Sequence, residues 1–293
     1  MTTASEPGAW AGRTLGGRYL VLRVLGRGGM GVVYEAVALA GGERFAVKIL
    51  DREWSKDPTV AGRFAREGRA ASAASSEHIV RVLDGGTEDG SPYLVMELLQ
   101  GDDLGKRLRR ERTLPVDEAL RVADQLLRGL EAAHAQGVVH RDLKPDNVMV
   151  VPGAAGDAVA KIVDFGMSRI ERAVGGTRPL PLTRRGIVLG TPLYMSPEQV
   201  RASRDVDART DLYAVGAILF ECLAGRPPHV GEAYEQILLD ICTEDAPDVR
   251  RWRPEVSGDL AAFVARALAR EPDERFQTAA EMRGALDAAA RVP

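Results

Sequence analysis

Cysteine is scarce in this sequence, since the chain of 293 residues has only Cys222 and Cys242. Two cysteines cannot build a disulfide framework, and Cys222 lies in an apolar run typical of a buried core, so we expect a reducing compartment. The chain also lacks a charged-then-apolar leader, and its most apolar stretch, 213–220, is far shorter than the roughly 20 residues that cross a bilayer. We therefore expect no signal peptide and no membrane segment in this chain.

Lysine is also rare, because five of the 39 basic residues are lysines and the other 34 are arginines. Genome bias explains the imbalance, yet a lysine kept in such a chain can stand where a planar arginine would not serve. The 42 acidic residues leave a net charge of −3, which gives no electrostatic argument for nucleic acid or a membrane surface as the main partner. The lysines are Lys48, Lys56, Lys106, Lys144 and Lys161.

The apolar pattern changes along the chain from strand-like to helical. Strands are predicted at 19–25, 32–37, 44–50, 79–84 and 93–97, with one helix at about 58–74. Further helices are predicted at 116–135, 210–224, 232–242, 258–269 and 278–290.

This pattern predicts an α+β domain over 19–288. It would have a small antiparallel-sheet N-lobe with one main helix (19–97), a hinge (97–101) and a larger helical C-lobe (102–288). Residues 1–18 are rich in Gly, Ala and Thr and are expected to form a flexible lead-in. The cleft between the lobes is the expected ligand site.

Gly26, Gly28 and Gly31 form a G-x-G-x-x-G pattern between the first two predicted strands. A dinucleotide-binding loop needs a helix after the glycines, and a P-loop ends in G-K-[ST]. Here Val32-Val33-Tyr34 follows, which favours a strand. Two alternatives remain, a hairpin whose backbone N–H groups bind phosphates and a plain flexible hairpin.

Lys48 lies in the third predicted strand between Val47 and Ile49. Side chains alternate along a strand, so the lysine is expected to face away from both apolar neighbours and into the cleft. Glu67 of the following helix is the natural carboxylate to hold it. A solvated surface lysine is the ordinary alternative.

The stretch 139–147 reads Val-His-Arg-Asp-Leu-Lys-Pro-Asp-Asn, and Asp164-Phe165-Gly166 follows it. Asp142, Asn147 and Asp164 supply carboxylate and amide oxygens, the ligands that Mg²⁺ prefers. Together with the glycine pattern, they suggest Mg²⁺-assisted phosphoryl transfer.

Ser196-Pro197-Glu198 follows these motifs. With the motifs in this order and spacing, the sequence from Tyr19 to about Arg283 resembles the eukaryotic-like (Hanks-type) serine/threonine protein kinases of bacteria. The resemblance implies a two-lobed protein-kinase-like fold and transfer of the γ-phosphate of ATP to Ser/Thr hydroxyls of proteins, with Mg²⁺ or Mn²⁺ as the metal. It allows a homodimer through the front lobe, for which no residue argues. It implies a cytoplasmic location, or the cytoplasmic face of a membrane if the chain belongs to a longer kinase.

The resemblance also implies roles for the motif residues. Asp142 would be the catalytic base, and Lys144 would lie beside the γ-phosphate. Thr191 would touch both of these side chains, as in Ser/Thr-specific enzymes. Asn147 and Asp164 would hold the metal.

A nucleotide pocket follows from the same resemblance. Lys48 would bind the α- and β-phosphates and pair with Glu67. Val33 and Ala46 would form the roof of the adenine pocket, Met149 its floor and Met96 its gatekeeper, with Glu97 and Leu99 offering backbone groups to adenine and Asp103 reaching the ribose. The implied ATP-binding set is Leu25, Gly26, Arg27, Gly28, Gly29, Met30, Gly31, Val33, Ala46, Lys48, Met96, Glu97, Leu99, Asp103, Met149 and Asp164.

Other matching positions would be structural or regulatory. The structural ones are His140 and Phe165 in an internal spine, Asp211 bracing the catalytic loop, and a buried Glu198–Arg275 ion pair. Arg141 would bind a phosphate on the activation segment. We expect Thr183 to be the autophosphorylated residue there, with Thr177 as the other threonine. Ser196 is one departure, because the family commonly has alanine at that position.

Two other classes of protein share parts of this pattern. One is a catalytically weak, kinase-like scaffold that binds partners. The other is a small-molecule phosphotransferase of related fold, such as those acting on aminoglycosides. These phosphotransferases lack the Gly-Thr…Pro-Glu segment, which is complete here from Gly190 to Glu198.

Overall fold

The computed structural model describes residues 9–62, 64, 68, 74–153, 156–165, 192–203 and 206–291. The chain divides into two compact units. Unit 1 comprises 1–75, 80–100 and 165–180, and unit 2 comprises 76–79, 101–164 and 181–293. None of the helices in the described ranges combines the length and apolarity that a membrane span requires.

Unit 1 is built on an antiparallel sheet of six strands in the order β1-β2-β3-β4-β6-β5. The strands are β1 (Thr14–Leu15), β2 (Tyr19–Arg27), β3 (Gly31–Ala38), β4 (Arg44–Leu50), β5 (Val82–Glu88) and β6 (Ser91–Glu97). A short helix, α1 (Arg52–Ser55), follows β4, and residues 58–62, 64 and 68 are also helical.

Alternation along the central strands gives this sheet two different faces. The first face buries a cluster that includes Val32, Tyr34, Ala36, Phe45, Val47, Ile49, Tyr93 and Val95. On the second face, Leu50 and Leu94 pack with Val60 and Phe64 of the helical stretch. Lys48 alternates with Val47 and Ile49 and so belongs to the second face.

Residues 9–18 do not form the flexible lead-in that composition predicted. Trp10 and Leu15 are buried in the cluster of the first face, and β1 pairs with β2. The hydroxyl of Tyr19 on β2 donates to Asp84 Oδ2 on the edge strand β5 at 2.8 Å. Three strands lie between β2 and β5 in the sheet, so this bond shows that the sheet is strongly curved. The apolar surface of Trp10 and Leu15 supplies the burial that orders a segment otherwise poor in hydrophobic residues.

Unit 2 is mainly helical and has a second, three-stranded sheet in the order β7-β8-β9. Its helices are α2 (Leu104–Glu111), α3 (Val116–Ala135), α4 (Pro197–Val200), α5 (Arg209–Ala224), α6 (Tyr234–Thr243), α7 (Gly258–Ala267) and α8 (Ala279–Ala290). Its strands are β7 (Asp102–Asp103), β8 (Val148–Pro152) and β9 (Ala158–Ile162).

Helix α5 is the centre of unit 2, since residues 210–220 are all buried and the helix packs on α3 and α7. It ends at Gly225, whose φ of 73° is the left-handed conformation in which glycine often terminates helices. The side chains of Ser257 and Thr278 cap the first turns of α7 and α8.

The helix predicted at 116–135 and the strand predicted at 44–50 are confirmed to the residue. The strand predicted at 79–84 is displaced, because β5 begins at Val82 and continues through Gly85-Gly86. That pair is typical of a turn. Here both glycines lie inside the strand, where an added Cβ would come within 3.0 Å of Tyr93.

Candidate active site

The loop between α3 and β8 brings three predicted catalytic residues together. The Lys144 ammonium lies 2.8 Å from Asp142 Oδ2, and Asn147 Nδ2 donates to the Asp142 carbonyl at 2.7 Å. Pro145–Asn147 forms a single 3-10 turn, which the fixed φ of proline favours. The Asp142 side chain is 39% exposed, whereas Asn147 is 8% exposed, so the Asp142 carboxylate is accessible.

Fully buried His140 ties this loop to the segment that leads into Asp164. Its Nε2 lies 2.9 Å from the Val163 carbonyl oxygen, and its Nδ1 lies 3.2 Å from the Asp142 backbone nitrogen. These two partners require the neutral tautomer with the hydrogen on Nε2. His140 therefore positions Asp142 through a specific pair of hydrogen bonds.

Asp211, in the first turn of α5, holds the backbone just before Asp142. Its two carboxylate oxygens accept the N–H groups of His140 and Arg141, each at 2.8 Å, and His134 Nε2 lies 2.8 Å from Oδ2. Arg141 has a φ of 67°, in the left-handed region. That conformation costs of order 1–3 kcal/mol for a residue other than glycine. The fully buried Asp211 carboxylate stabilises this strained backbone.

Asn147 and Asp164, the predicted metal ligands, are linked through the backbone, because the Val163 N–H donates to the Asn147 carbonyl at 2.9 Å. The Nδ2 group of Asn147 donates a hydrogen bond to the Asp142 carbonyl, so the atom of this side chain that can ligate a cation is Oδ1. An amide oxygen and a carboxylate fit Mg²⁺, which uses few protein ligands and completes its shell with water and phosphate oxygens. Among the described residues, no group of three or more His, Cys, Asp or Glu side chains could hold a metal.

Met149 and Asp103, predicted to contact the base and the ribose, lie opposite each other in the ladder between β7 and β8. The Asp103 carboxylate is already engaged, because Oδ1 accepts the Lys106 N–H at 2.7 Å and Oδ2 lies 2.9 Å from the Lys106 ammonium. Asp103 is therefore the N-cap of α2, a role that the sequence analysis missed. A ribose hydroxyl that bonds to Asp103 would have to share the carboxylate with Lys106.

Four residues predicted to surround the nucleotide lie on the second face of the unit 1 sheet. Val33 is directly opposite Lys48, and Ala46 is directly opposite Met96. Ala46 and Lys48 are two residues apart on β4, so their side chains point to the same side of the sheet. Residues directly opposite each other on paired strands also share a side, so Val33 and Met96 point the same way. Lys48 is 5% exposed.

The glycine pattern forms a hairpin between β2 and β3, as the strand-forming residues after it predict, and the Gly28 N–H donates to the Gly31 carbonyl at 2.9 Å. The fold requires glycine at position 31, where a Cβ would lie 2.2 Å from the Ile49 carbonyl oxygen. At Gly26 a Cβ would meet nothing within 4 Å, and at Gly28 its nearest neighbour would be the Gly31 oxygen at 3.9 Å. Of the three glycines of the G-x-G-x-x-G pattern, Gly31 is therefore the one that the packing of the hairpin requires.

The other residues predicted to contact ATP lie in β2 and β6 or just after these strands. Leu25, Arg27 and Gly29 are exposed. Met30 is different, because its side chain is buried in the cluster of the second face. The Glu97 carboxylate accepts the Arg81 N–H at 2.9 Å, and Leu99 follows the end of β6 and is partly buried.

Glu198 and Arg275 form a buried ion pair with two parallel hydrogen bonds of 2.8 Å. Arg275 has no exposed surface, and the Thr210 hydroxyl donates to Glu198 Oε1 at 3.0 Å. Burial raises the pKa of Glu198, but the hydrogen bond and the charge of Arg275 lower it by more, so the pKa lies below its usual value. This pair is a structural element of unit 2.

Several predicted site residues lie outside the described residues, namely Glu67, Gly166, Thr177, Thr183 and Thr191. Phe165 is described and is buried.

Gln199 is a residue that the sequence analysis missed. Its Oε1 accepts the Ser196 N–H at 3.1 Å, and its Nε2 donates to the Arg141 carbonyl at 2.7 Å. The first bond belongs to an S-x-x-Q capping box at the start of α4, which is recognisable in the sequence. The second bond joins residues 58 positions apart and has no local sequence signal.

Comparison with known proteins agrees with this geometry. The protein kinase domain family matches residues 19–285. The chain is 38% identical over 280 residues to a probable serine/threonine-protein kinase of Streptomyces coelicolor, covering 94% of this chain and 40% of that protein. It is 37% identical over 276 residues to serine/threonine-protein kinase PknB of Mycobacterium leprae, covering 93% and 43%. The chain thus spans less than half the length of these two relatives.

A crystal structure of the Mycobacterium tuberculosis PknI kinase domain matches with a TM-score of 0.73 and 28% identity, covering 95% of this chain and 98% of that domain. The predicted fold class, with an antiparallel-sheet lobe and a helical lobe, is confirmed by this match. The chain therefore belongs to the protein kinase domain family and is a domain of the bacterial serine/threonine kinase type.

Proposed function

We propose that this chain is an ATP- and Mg²⁺-dependent kinase that transfers the γ-phosphate to serine and threonine hydroxyls of proteins in the cytoplasm. One observation carries the proposal: Lys144 and Asn147 both bond to Asp142, whose carboxylate stays accessible. A general base must be both held in place and within reach of the proton that it accepts. We place the kinase domain at 19–288, with the hinge at 97–101.

The geometry favours one oxygen of Asp142 for the chemistry. Lys144 Nζ lies 2.8 Å from Oδ2 and Asn147 Nδ2 lies 3.3 Å from the same oxygen, so within the described residues Oδ1 is left for the substrate. As the hydroxyl oxygen bonds to the γ-phosphorus, the bond from phosphorus to the ADP oxygen breaks. The hydroxyl proton is oriented by Oδ1 and accepted there.

Cations would offset the charge of the transferring group. The Lys144 ammonium is held beside Asp142, where it can interact with the γ-phosphate. Asn147 and Asp164 would hold Mg²⁺ (or Mn²⁺), which when bound bridges phosphate oxygens and neutralises their charge.

The second face of the unit 1 sheet would hold the nucleotide. Lys48 would bind the α- and β-phosphates beneath the glycine hairpin, and Val33 and Ala46 would cover the base. Gly26 and Gly28 support this assignment, because the packing does not require glycine there, whereas a phosphate that approaches the backbone does.

Autophosphorylation is part of the proposal. Thr183 would be the site and Thr177 the second candidate, with the guanidinium of Arg141, next to Asp142, as the group that binds the phosphate. Phosphate mapping after incubation with ATP and Mg²⁺ should identify Thr183, and Thr183→Ala should lower activity. Full activity of this variant, with phosphate mapped elsewhere, would overturn this part.

The central test uses γ-labelled ATP, Mg²⁺ and a generic protein substrate. Asp142→Asn removes the base and should lower transfer by about 10²–10⁴-fold. Asp146→Asn is the matched control, because Asp146 lies in the same loop but pairs with Arg109 at the surface at 3.2 Å. Its activity should equal that of the wild type.

The same assay separates the other two classes. Equal transfer by Asp142→Asn and wild type would overturn the proposal. Label found on an aminoglycoside and never on protein would indicate a small-molecule phosphotransferase. The absence of any transfer by the wild type would indicate a scaffold.

A further inference from the structure

We infer that Gln199 is a positioning residue for the catalytic loop, and this inference rests on the proposed kinase activity. Its amide spans two backbone groups, donating from Nε2 to the Arg141 carbonyl at 2.7 Å and accepting the Ser196 N–H on Oε1 at 3.1 Å. These partners fix the orientation of the amide, since the reverse would set donor against donor. The side chain is 5% exposed, so both bonds are shielded from water.

Arg141 is thereby held at both of its backbone polar groups. Asp211 accepts its N–H at 2.8 Å, and Gln199 donates to its carbonyl. A residue at a φ of 67° is held in this conformation by its surroundings, and these two backbone bonds help to hold it.

The Arg141 carbonyl controls the orientation of Asp142. The carbonyl and the Asp142 N–H belong to one rigid peptide plane, so a partner that fixes one fixes the other. That N–H lies 3.2 Å from His140 Nδ1. Without the donor from Gln199, the plane can rotate and move the Asp142 carboxylate relative to Lys144.

The anchor of Gln199 is rigid. The Ser196 hydroxyl lies 2.5 Å from Thr210 Oγ1, which donates to Glu198, the partner of buried Arg275. Helix α4 is therefore joined by side-chain bonds to α5 and to the ion pair. Gln199 connects this network with the catalytic loop.

Gln199 should affect turnover more than nucleotide binding, because its bond to the Arg141 carbonyl acts on the loop that carries Asp142. In Gln199→Met, kcat should fall by about tenfold or more, since small displacements of a catalytic group cost 10–100-fold. The KM for ATP should change less than twofold on the same argument. Gln199→Glu should behave in the same way, because it keeps an acceptor for Ser196 and loses the donor to Arg141.

Gln125→Met is the matched control. Gln125 also spans two backbone groups, donating to the Ala158 carbonyl at 3.1 Å and accepting the Ala160 N–H at 2.7 Å. It lies on α3 and bonds to β9, away from the loop that holds Asp142. The control should keep the wild-type kcat even if its melting temperature falls.

Hydrogen exchange of peptides covering 138–147 gives a second readout that does not depend on activity. Exchange should be faster in both Gln199 variants and unchanged in Gln125→Met. Wild-type kcat and wild-type exchange in the Gln199 variants would overturn the inference, and so would an equal loss of kcat in Gln125→Met. If the wild type transfers no phosphate, the proposed function fails, and the exchange comparison still decides whether Gln199 positions the loop.

Discussion

Leu94 lies directly opposite Lys48 in the ladder between β4 and β6, and the same leucine contacts Gly68 of the helical stretch. A Cβ at Gly68 would lie 2.4 Å from Leu94 Cδ1, so helix and sheet approach here as closely as glycine allows. Gly68 directly follows Glu67, the residue expected to pair with Lys48. The helical stretch that includes Gly68 therefore packs directly against β6, the strand that pairs with β4 at Lys48.

Lys48→Arg tests this arrangement. The change keeps the positive charge, but a planar guanidinium cannot replace a compact ammonium between a carboxylate and two phosphates, so activity should fall by about 100-fold or more while the fold persists. Steady-state kinetics and a melting curve check both parts. Lys56→Arg, at an exposed lysine just after α1, is the control and should be neutral. Near-normal turnover of Lys48→Arg would contradict the assignment.

The glycine hairpin should separate stability from nucleotide binding. Gly31→Ala places a methyl group against the Ile49 carbonyl, so the free energy of unfolding should fall by about 1–3 kcal/mol. Gly28→Ala has room in the fold, so its melting temperature should stay close to that of the wild type while the KM for ATP rises. Thermal denaturation and ATP titration distinguish the two variants. An unchanged KM in Gly28→Ala would remove the argument that this glycine serves the ligand.

The Glu198–Arg275 pair should be strongly coupled to folding. Arg275→Met leaves the Glu198 carboxylate buried without its partner, so the free energy of unfolding should fall by about 3–5 kcal/mol. Denaturant titration measures this loss. Arg250→Met, which removes an exposed arginine paired with Asp248 at the surface, should cost about 0–1 kcal/mol. Comparable losses in the two variants would show that burial of the pair adds nothing.

The same pair predicts a pH dependence. The folded-state pKa of Glu198 lies below the usual value of 4.5, so the pair stabilises fully above that pH, and the stabilisation is lost as pH falls through the lower folded value. The free energies of unfolding of the wild type and Glu198→Gln should differ most near neutral pH and converge on acidification. Both proteins carry the same other carboxylates, so the difference isolates Glu198. If the difference in the free energy of unfolding between the two proteins did not change with pH, the result would contradict the lowered pKa of Glu198.

Much of the catalytic loop could be predicted from the sequence because it is local. Asp142, Lys144 and Asn147 lie within six positions of one another, and their contacts follow from a short loop containing Pro145. The alternation that assigns Lys48 to one face of its strand is equally local.

What the sequence did not show depends on distant partners. The bond from Gln199 to Arg141 crosses 58 positions, and no local pattern encodes it. Met30 lies in a glycine-rich loop by sequence, but its side chain is buried with Leu50 and Phe64. Asp103 has the spacing expected of a ribose contact, yet the start of α2 uses its carboxylate.

Because of the short strand β1, the residues needed for a stable fold begin earlier in the chain than the residues expected to take part in the reaction. A protein produced from Tyr19 onward would lose Trp10 and Leu15 from the core cluster that also contains Tyr93. It would also leave one edge of β2 open to pairing with strands of other molecules, a recognised route to aggregation. The motifs that resemble a kinase begin at Tyr19, whereas a protein that keeps this packing has to begin at Trp10 or earlier, nine or more residues before Tyr19.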